Sequence, residues 1–271
     1  MKITLLKNIV IVSAIATLAG CASTTSPGAV DVDRRQLMIV PAGQLEQMAQ
    51  VSFNEQNAKA RAAGQLVTQG AEYDRVRRIS ERLRRQAPVF RPDAANWNWE
   101  VALIDSPELN ASCAPGGKIT VYTGIIRSLN LTDDEIAMVV GHEIAHALRE
   151  HGREKVSQAM AQNLIGSVVL GALQTTDAQA KMAGQVTDVM LTLPNSRKNE
   201  LEADKIGLEL AARAGFNPAA AVSVWQKMGA ASSGARPPQF LSTHPANESR
   251  IAELSNMQAA VMPLYQAASK Q

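Results

Sequence analysis

Two histidines four residues apart, His142 and His146, lie inside the run Ile136-Ala137-Met138-Val139-Val140-Gly141-His142-Glu143-Ile144-Ala145-His146-Ala147. On a helix, residues four apart stand one above the other on the same face, so both imidazoles aim at one point. Their neighbours are small or apolar, which predicts a buried helix. Two imidazoles and a carboxylate inside such a helix need a partner that offsets their desolvation. A divalent metal is such a partner, because histidine nitrogens bind Zn²⁺ at about 2.0–2.1 Å. Glu143 is one step round the helix. It is badly placed as an equal ligand and well placed to take a proton from an attacking water. The sequence also marks where the helix starts. Thr132 and Glu135 form a capping box, and Asp133, Asp134 and Glu135 suit the positive end of the helix dipole. A helix over 133–149 is expected.

A catalytic zinc keeps three protein ligands and one open position. The longer pattern HExxHxxGxxH is excluded, because Arg149 and Gly152 stand where it needs Gly and His. His151 is five residues past His146, off the ligand face, and is expected near the helix end, where a cation is favoured. The better source of a third ligand is Ser196-Arg197-Lys198-Asn199-Glu200-Leu201-Glu202-Ala203-Asp204. Glu200 and Asp204 are four apart and share a helical face, whereas Glu202 points elsewhere and is expected to be exposed. Glu209, further along the same helix, is a weaker alternative.

HEIAH on a helix, followed some fifty residues later by NELEAD, resembles the M48 family of metallopeptidases, which includes the CAAX-processing proteases and the bacterial membrane protease HtpX. The resemblance covers nearly all of residues 40–255. It implies a zincin-like single catalytic domain built on the HExxH helix, and a zinc-dependent endopeptidase with one Zn²⁺ per chain. It implies that Glu200 joins His142 and His146 as the third metal ligand, and that Asp204 orients a histidine ligand. Ser242-Thr243-His244-Pro245 resembles the family's His-Pro motif, which implies that His244 hydrogen-bonds the oxyanion or the substrate. The segment from Asn110-Ala111 to Gly117-Lys118 resembles the active-site edge strand, to which an extended peptide adds as a further strand. Cys113 in that segment reads as a small packed residue. Unlike the multi-spanning members of the family, the chain shows no transmembrane helix after residue 21.

The rest of the pattern gives a mainly α fold with a small β-sheet (α+β). Helices are expected over 44–63, 72–86, 196–214, 218–228 and 246–262, the last stopped by Pro263. The arginines of 72–86 read as a solvated face. Strands are expected over 97–104 and 118–123, with 109–114 pairing across Pro115-Gly116-Gly117. The Ala/Gly-rich stretch 157–173 reads as a buried helix, with a membrane- or substrate-facing flap as the alternative. Residues 232–238 read as a loop.

The N-terminus reads as an address. Lys2 and Lys7 precede a short apolar stretch, Ile9 to Leu18, as in a secretory signal. Leu18-Ala19-Gly20-Cys21 resembles the bacterial lipobox, which implies removal of a signal peptide over 1–20 and acylation of Cys21; a simple cleaved signal is the alternative. Residues 21–36, rich in small and polar residues, read as the lipidated Cys and a flexible tether, and 37–271 as the peptidase domain. Ala22, where an Asp would favour inner-membrane retention, leans towards the periplasmic face of the outer membrane. The formal net charge is +2, and Lys2 and Lys7 fall in the removed segment (+2 − 2 = 0). No basic field therefore points to nucleic acid. Two cysteines, Cys21 and Cys113, give no disulfide framework. The expected partners are unfolded or extended polypeptides and a lipid bilayer, and the expected role is envelope quality control. A zinc-bearing chaperone for outer-membrane proteins and a non-peptidase zinc amidase are the alternatives.

Overall fold

The computed structural model describes residues 21–162, 186, 189–190, 194–231, 239–244 and 248–268. The described α-helices are α1 (Ala42–Ala62), α2 (Ala71–Arg84), α3 (Thr123–Ser128), α4 (Asp133–Leu148), α5 (His151–Ala161), α6 (Arg197–Arg213), α7 (Ala220–Ala231), α8 (Gln239–Thr243) and α9 (Glu248–Ala268), with short 3-10 turns at Ala87–Val89 and Pro92–Asn96. A two-stranded pair, β1 (Cys21–Ala22) and β2 (Gln36–Leu37), stands apart from a four-stranded sheet. That sheet has the order β3 (Leu66–Val67), β4 (Glu100–Ile104), β6 (Lys118–Tyr122), β5 (Ala111–Ala114). The fold is thus mainly helical with a small sheet, as the element pattern predicts. Among the described residues, no helix is long and apolar enough to cross a membrane.

The β5–β6 pair is the hairpin expected across Pro115-Gly116-Gly117. It runs antiparallel with Ala111 opposite Val121. Gly116 and Gly117 both have positive φ, at 76° and 81°, the region where a side chain is disfavoured. A Cβ on Gly117 would lie 2.6 Å from the Trp99 ring. β4 and β6 pair in parallel, so β5 lies at the sheet's edge, against α4.

α4 is the central element, and every residue from Glu135 to Leu148 is buried. The expected capping box forms: the Glu135 amide donates to Thr132 Oγ1 (3.3 Å), and the Thr132 amide donates to Glu135 Oε2 (2.8 Å). α6 lies along α4 with the backbones touching at two glycines. A Cβ on Gly207 would sit 2.8 Å from the His142 nitrogen and 2.9 Å from the Gly141 carbonyl carbon. This close approach brings Glu200 and Asp204 to the histidine face. Val76, Ile79 and Leu83 of α2 and Val224, Trp225 and Met228 of α7 complete the core.

Several expectations need correction. Pro263 lies inside α9, which runs on to Ala268; Leu264 and Tyr265 pack against the core, and that tertiary contact carries the helix past the proline. α3, α8 and β3 were not expected, because each is too short to show a period. The segment 21–36, expected as a flexible tether, is tied down, and its packing runs on to Val40. Val30, Val32, Met38 and Val40 are buried, and the Ala29 and Val30 amides donate to Glu209 Oε2 (2.8 and 3.2 Å). Four apolar residues, diluted by small and polar ones, anchor the segment. Of the stretch 157–173, α5 covers the start, and its remainder lies outside the described residues. So do the signal segment 1–20 and the loop 232–238.

Replacing Gly207 with Ala should force α4 and α6 apart. The expected cost is about 1–3 kcal/mol, read as a lower urea midpoint with little change in slope, together with weaker metal binding.

Candidate metal centre

α4 supplies His142 and His146, α6 supplies Glu200, and the residue after α8 supplies His244. One donor atom from each of the four lies within 4.8 Å of the others, and all four residues are buried. His146 Nε2 is 3.1 Å from His142 Nε2, and His244 Nδ1 is 3.2 Å from His142 Nε2. Glu200 Oε2 is 3.4 Å from His142 Nε2, and Glu200 Oε1 is 3.3 Å from His146 Nε2 and 3.0 Å from His244 Nδ1. A tetrahedron with arms of about 2.05 Å has edges of about 3.3 Å. These donor separations therefore fit a seat for one zinc-sized cation.

The surroundings fix each donor. His142 Nδ1 lies 3.0 Å from Asp204 Oδ1. Arg250, from α9, pairs with both acidic residues: Nη1 is 2.8 Å from Glu200 Oε2 as an ion pair, while Nη2 donates to Asp204 Oδ1 at 2.7 Å and Nε to Asp204 Oδ2 at 2.8 Å. Its guanidinium also covers the Trp225 ring at 3.8 Å. His244 stacks on Phe240, with centroids 4.4 Å apart. Its amide donates to the Phe240 carbonyl (2.8 Å).

Electrostatics separates the roles. Burial works against the Glu200 carboxylate, but His244 nearby and hydrogen bonds from His142 and His146 hold it well below the usual range. Burial also opposes a charged His142, yet hydrogen bonds to Asp204 and Glu200 raise that ring to about 9. Burial pushes His146 well below, and His151 below, the ordinary histidine value. Glu143 goes the other way, because burial pushes its carboxyl up. Glu143 Oε1 has no hydrogen-bond partner among the described residues; His244 Nε2 lies 3.4 Å away. A buried carboxylate oxygen left in this way faces the place where a water and a substrate would enter. A cleft of about 420 Å³ opens there, lined by Cys113, Pro115, Glu143, His146, Asn195 and His244 among others.

The structure thus brings His142, His146, Glu200, Asp204, Glu143 and His244 into one centre. Asn110 and Ala111 are at the start of the edge strand, where the Asn110 carbonyl accepts the Tyr122 amide (3.2 Å). Cys113 is buried on that strand, and burial pushes its thiol well up, which suits a packed residue. Cys21 pairs through its main chain with Leu37, far along the sequence from the centre. Two expectations fail. Glu202 is buried, and His151 is fully buried beside His146. Glu209 accepts from the N-terminal segment and Arg213, so it is no rival ligand. Arg250 was missed, because an arginine six residues past a histidine has no spacing signal of its own.

A histidine pair on a buried helix, a distant carboxylate and an unsatisfied glutamate beside an open cleft define a metal-dependent hydrolase site. The chain belongs to peptidase family M48, whose model matches residues 71–258, and metallopeptidases of this family use zinc. It is 36% identical over 168 residues to the mitochondrial metalloendopeptidase OMA1 of Arabidopsis thaliana, covering 61% of this chain and 33% of that protein. The Saccharomyces cerevisiae mitochondrial metalloendopeptidase OMA1 is 34% identical over 175 residues (62% of this chain, 49% of that one). The β-barrel assembly-enhancing protease of Escherichia coli is 29% identical over 170 residues (60% and 35%). The chain therefore spans about a third to a half of the length of these relatives.

Replacing Arg250 with Leu leaves two buried carboxylates without their cation. Without metal, the expected loss is about 3–5 kcal/mol of unfolding free energy by urea titration. Added Zn²⁺ should restore part of it.

Proposed function

We propose that this chain is a zinc-dependent endopeptidase in which His142, His146 and Glu200 hold the metal and Glu143 is the general base. The observation that carries the reading is the four-donor cluster with an unsatisfied Glu143 beside it. A catalytic zinc takes three protein ligands, so the fourth donor, His244, is assigned to the open side, where it also faces Glu143. Zinc bound in this seat supplies Lewis-acid polarisation of a carbonyl and acidifies a nearby water.

The chain's own residues then divide the work. Asp204 steers the His142 ring from its far nitrogen, and Arg250 holds both Asp204 and Glu200 in register. The Glu143 carboxylate takes a proton from the attacking water and passes it to the leaving amine nitrogen. Its raised pKa makes the carboxylate a stronger base for the first transfer and brings its acid form nearer working pH. His244 donates from Nε2 to the oxyanion of the tetrahedral intermediate. Asn110 and Ala111 open the edge strand on which an extended peptide would pair.

The lipobox-like Leu18-Ala19-Gly20-Cys21 supports anchoring by an acylated Cys21. With the likeness to a bacterial β-barrel assembly-enhancing protease, it supports a place in the bacterial cell envelope, facing the periplasm. Unfolded or extended polypeptides of that compartment are the proposed substrates.

Glu143→Gln should lower casein cleavage by about 10²–10⁴-fold while one equivalent of zinc remains bound. Wild-type cleavage by that variant would sink the assignment. A variant that cannot cleave yet still restores outer-membrane protein assembly in cells would favour a holding role.

A further inference from the structure

We infer that His151 and Glu202 position the His146 ring, and that Arg34, on the N-terminal segment, together with Arg149, fixes Glu202 for that task. The inference rests on His146 being a metal ligand, as proposed above.

His151 Nδ1 lies 2.8 Å from His146 Nδ1, and His151 Nε2 lies 3.0 Å from Glu202 Oε2. A carboxylate only accepts, so His151 Nε2 carries the hydrogen and donates it. A neutral His151 then has a bare Nδ1, which accepts from His146 Nδ1–H. His146 Nε2 is left without a hydrogen. Its lone pair faces the donor cluster, 3.1 Å from His142 Nε2 and 3.3 Å from Glu200 Oε1. One contact on the far side of the ring, from a His151 that Glu202 holds in turn, thus sets both its tautomer and its tilt, the service that outer partners of metal-binding histidines provide. Asp204 does the same for His142, so each α4 histidine has a carboxylate behind it, direct in one case and through an imidazole in the other.

Glu202 is itself held from two sides. Arg34 Nε donates to its Oε1 at 2.6 Å, and Arg149 Nε donates to its Oε2 at 3.1 Å. Arg34 reaches on to Glu154 Oε1 at 2.6 Å. Gln36 Nε2 donates to Glu154 Oε2 (3.0 Å) and to the Arg149 carbonyl (2.8 Å). Two guanidiniums face two carboxylates, and Arg149, His151, Glu154 and Glu202 are all buried. The segment before α1 is therefore part of the support of the metal seat.

The test measures Zn²⁺ affinity of the full chain by competition with a chromophoric chelator, and the visible spectrum of the Co²⁺ form. Glu202→Gln keeps size and shape; it should lower zinc affinity by about 10- to 100-fold and shift the Co²⁺ bands. Arg34→Gln, at a more exposed side chain, should move both readouts in the same direction by less, and it decides the matter alone if Glu202→Gln does not fold. Wild-type zinc affinity and an unchanged Co²⁺ spectrum in the folded variants would overturn the inference, whatever their melting temperatures. His146→Ala is the control: if it binds zinc as the wild type does, the ligand assignment itself fails and the inference falls with it.

Discussion

The chemistry of this chain depends on a backbone contact. α4 and α6 meet at Gly141 and Gly207, so closely that a methyl group on Gly207 would strike the main chain at His142. The approach places a carboxylate from one helix within about 3.4 Å of two imidazoles from the other. With ordinary side chains at the crossing, helix axes stand 8–10 Å apart, and a short Glu or Asp could not span the extra gap and also hold its geometry. The apolar flanks of α4 drive the packing, and the two glycines set its depth.

Such packing concentrates charge in a dry place. Glu143, Glu200, Glu202, Asp204, His142, His146, His151, His244, Arg149 and Arg250 are all buried. The fold manages this with two compensating clusters. Arg250, lying over Trp225, serves Glu200 and Asp204. Arg34 and Arg149 serve Glu202 and Glu154. Between the clusters, Glu143 Oε1 has no hydrogen bond. Three of the five buried side-chain atoms without a hydrogen bond among the described residues belong to this centre, on His142, Glu143 and Glu200, and of these Glu143 lines the open cleft.

The proposed metal seat was legible because its geometry follows from short-range rules: a four-residue step on a helix, a capping box at Thr132, and a second helix with Glu200 and Asp204 four apart. The hairpin was legible because two glycines mark its turn. Pairing of the two helices at Gly141 and Gly207 was not, since a glycine in a helix has several uses. Glu202 looked exposed because it lies off the Glu200 face; the face it occupies is covered by residues 23–40, whose burial no periodicity announces. His151 looked like a helix-end cation, yet α4 ends at Leu148 and Glu150 turns the chain with φ at 52°, which folds the ring back beneath His146. Pro263 reads as a stop only if local propensity outweighs the contacts made by Leu264 and Tyr265. For Glu202 and Pro263 a tertiary contact overrode a local signal; for His151 it was the turn at Glu150.

The placement of β5 has a kinetic consequence. A strand at the rim of a sheet presents amide and carbonyl groups, which every polypeptide shares, and next to nothing that tells one sequence from another. If the ledge selects targets, it does so by time: a protein is vulnerable for the fraction of its life that a few consecutive residues spend unravelled. Turnover of different clients would then rank with how often each one opens, and two clients of equal opening frequency would be consumed alike however little their compositions had in common.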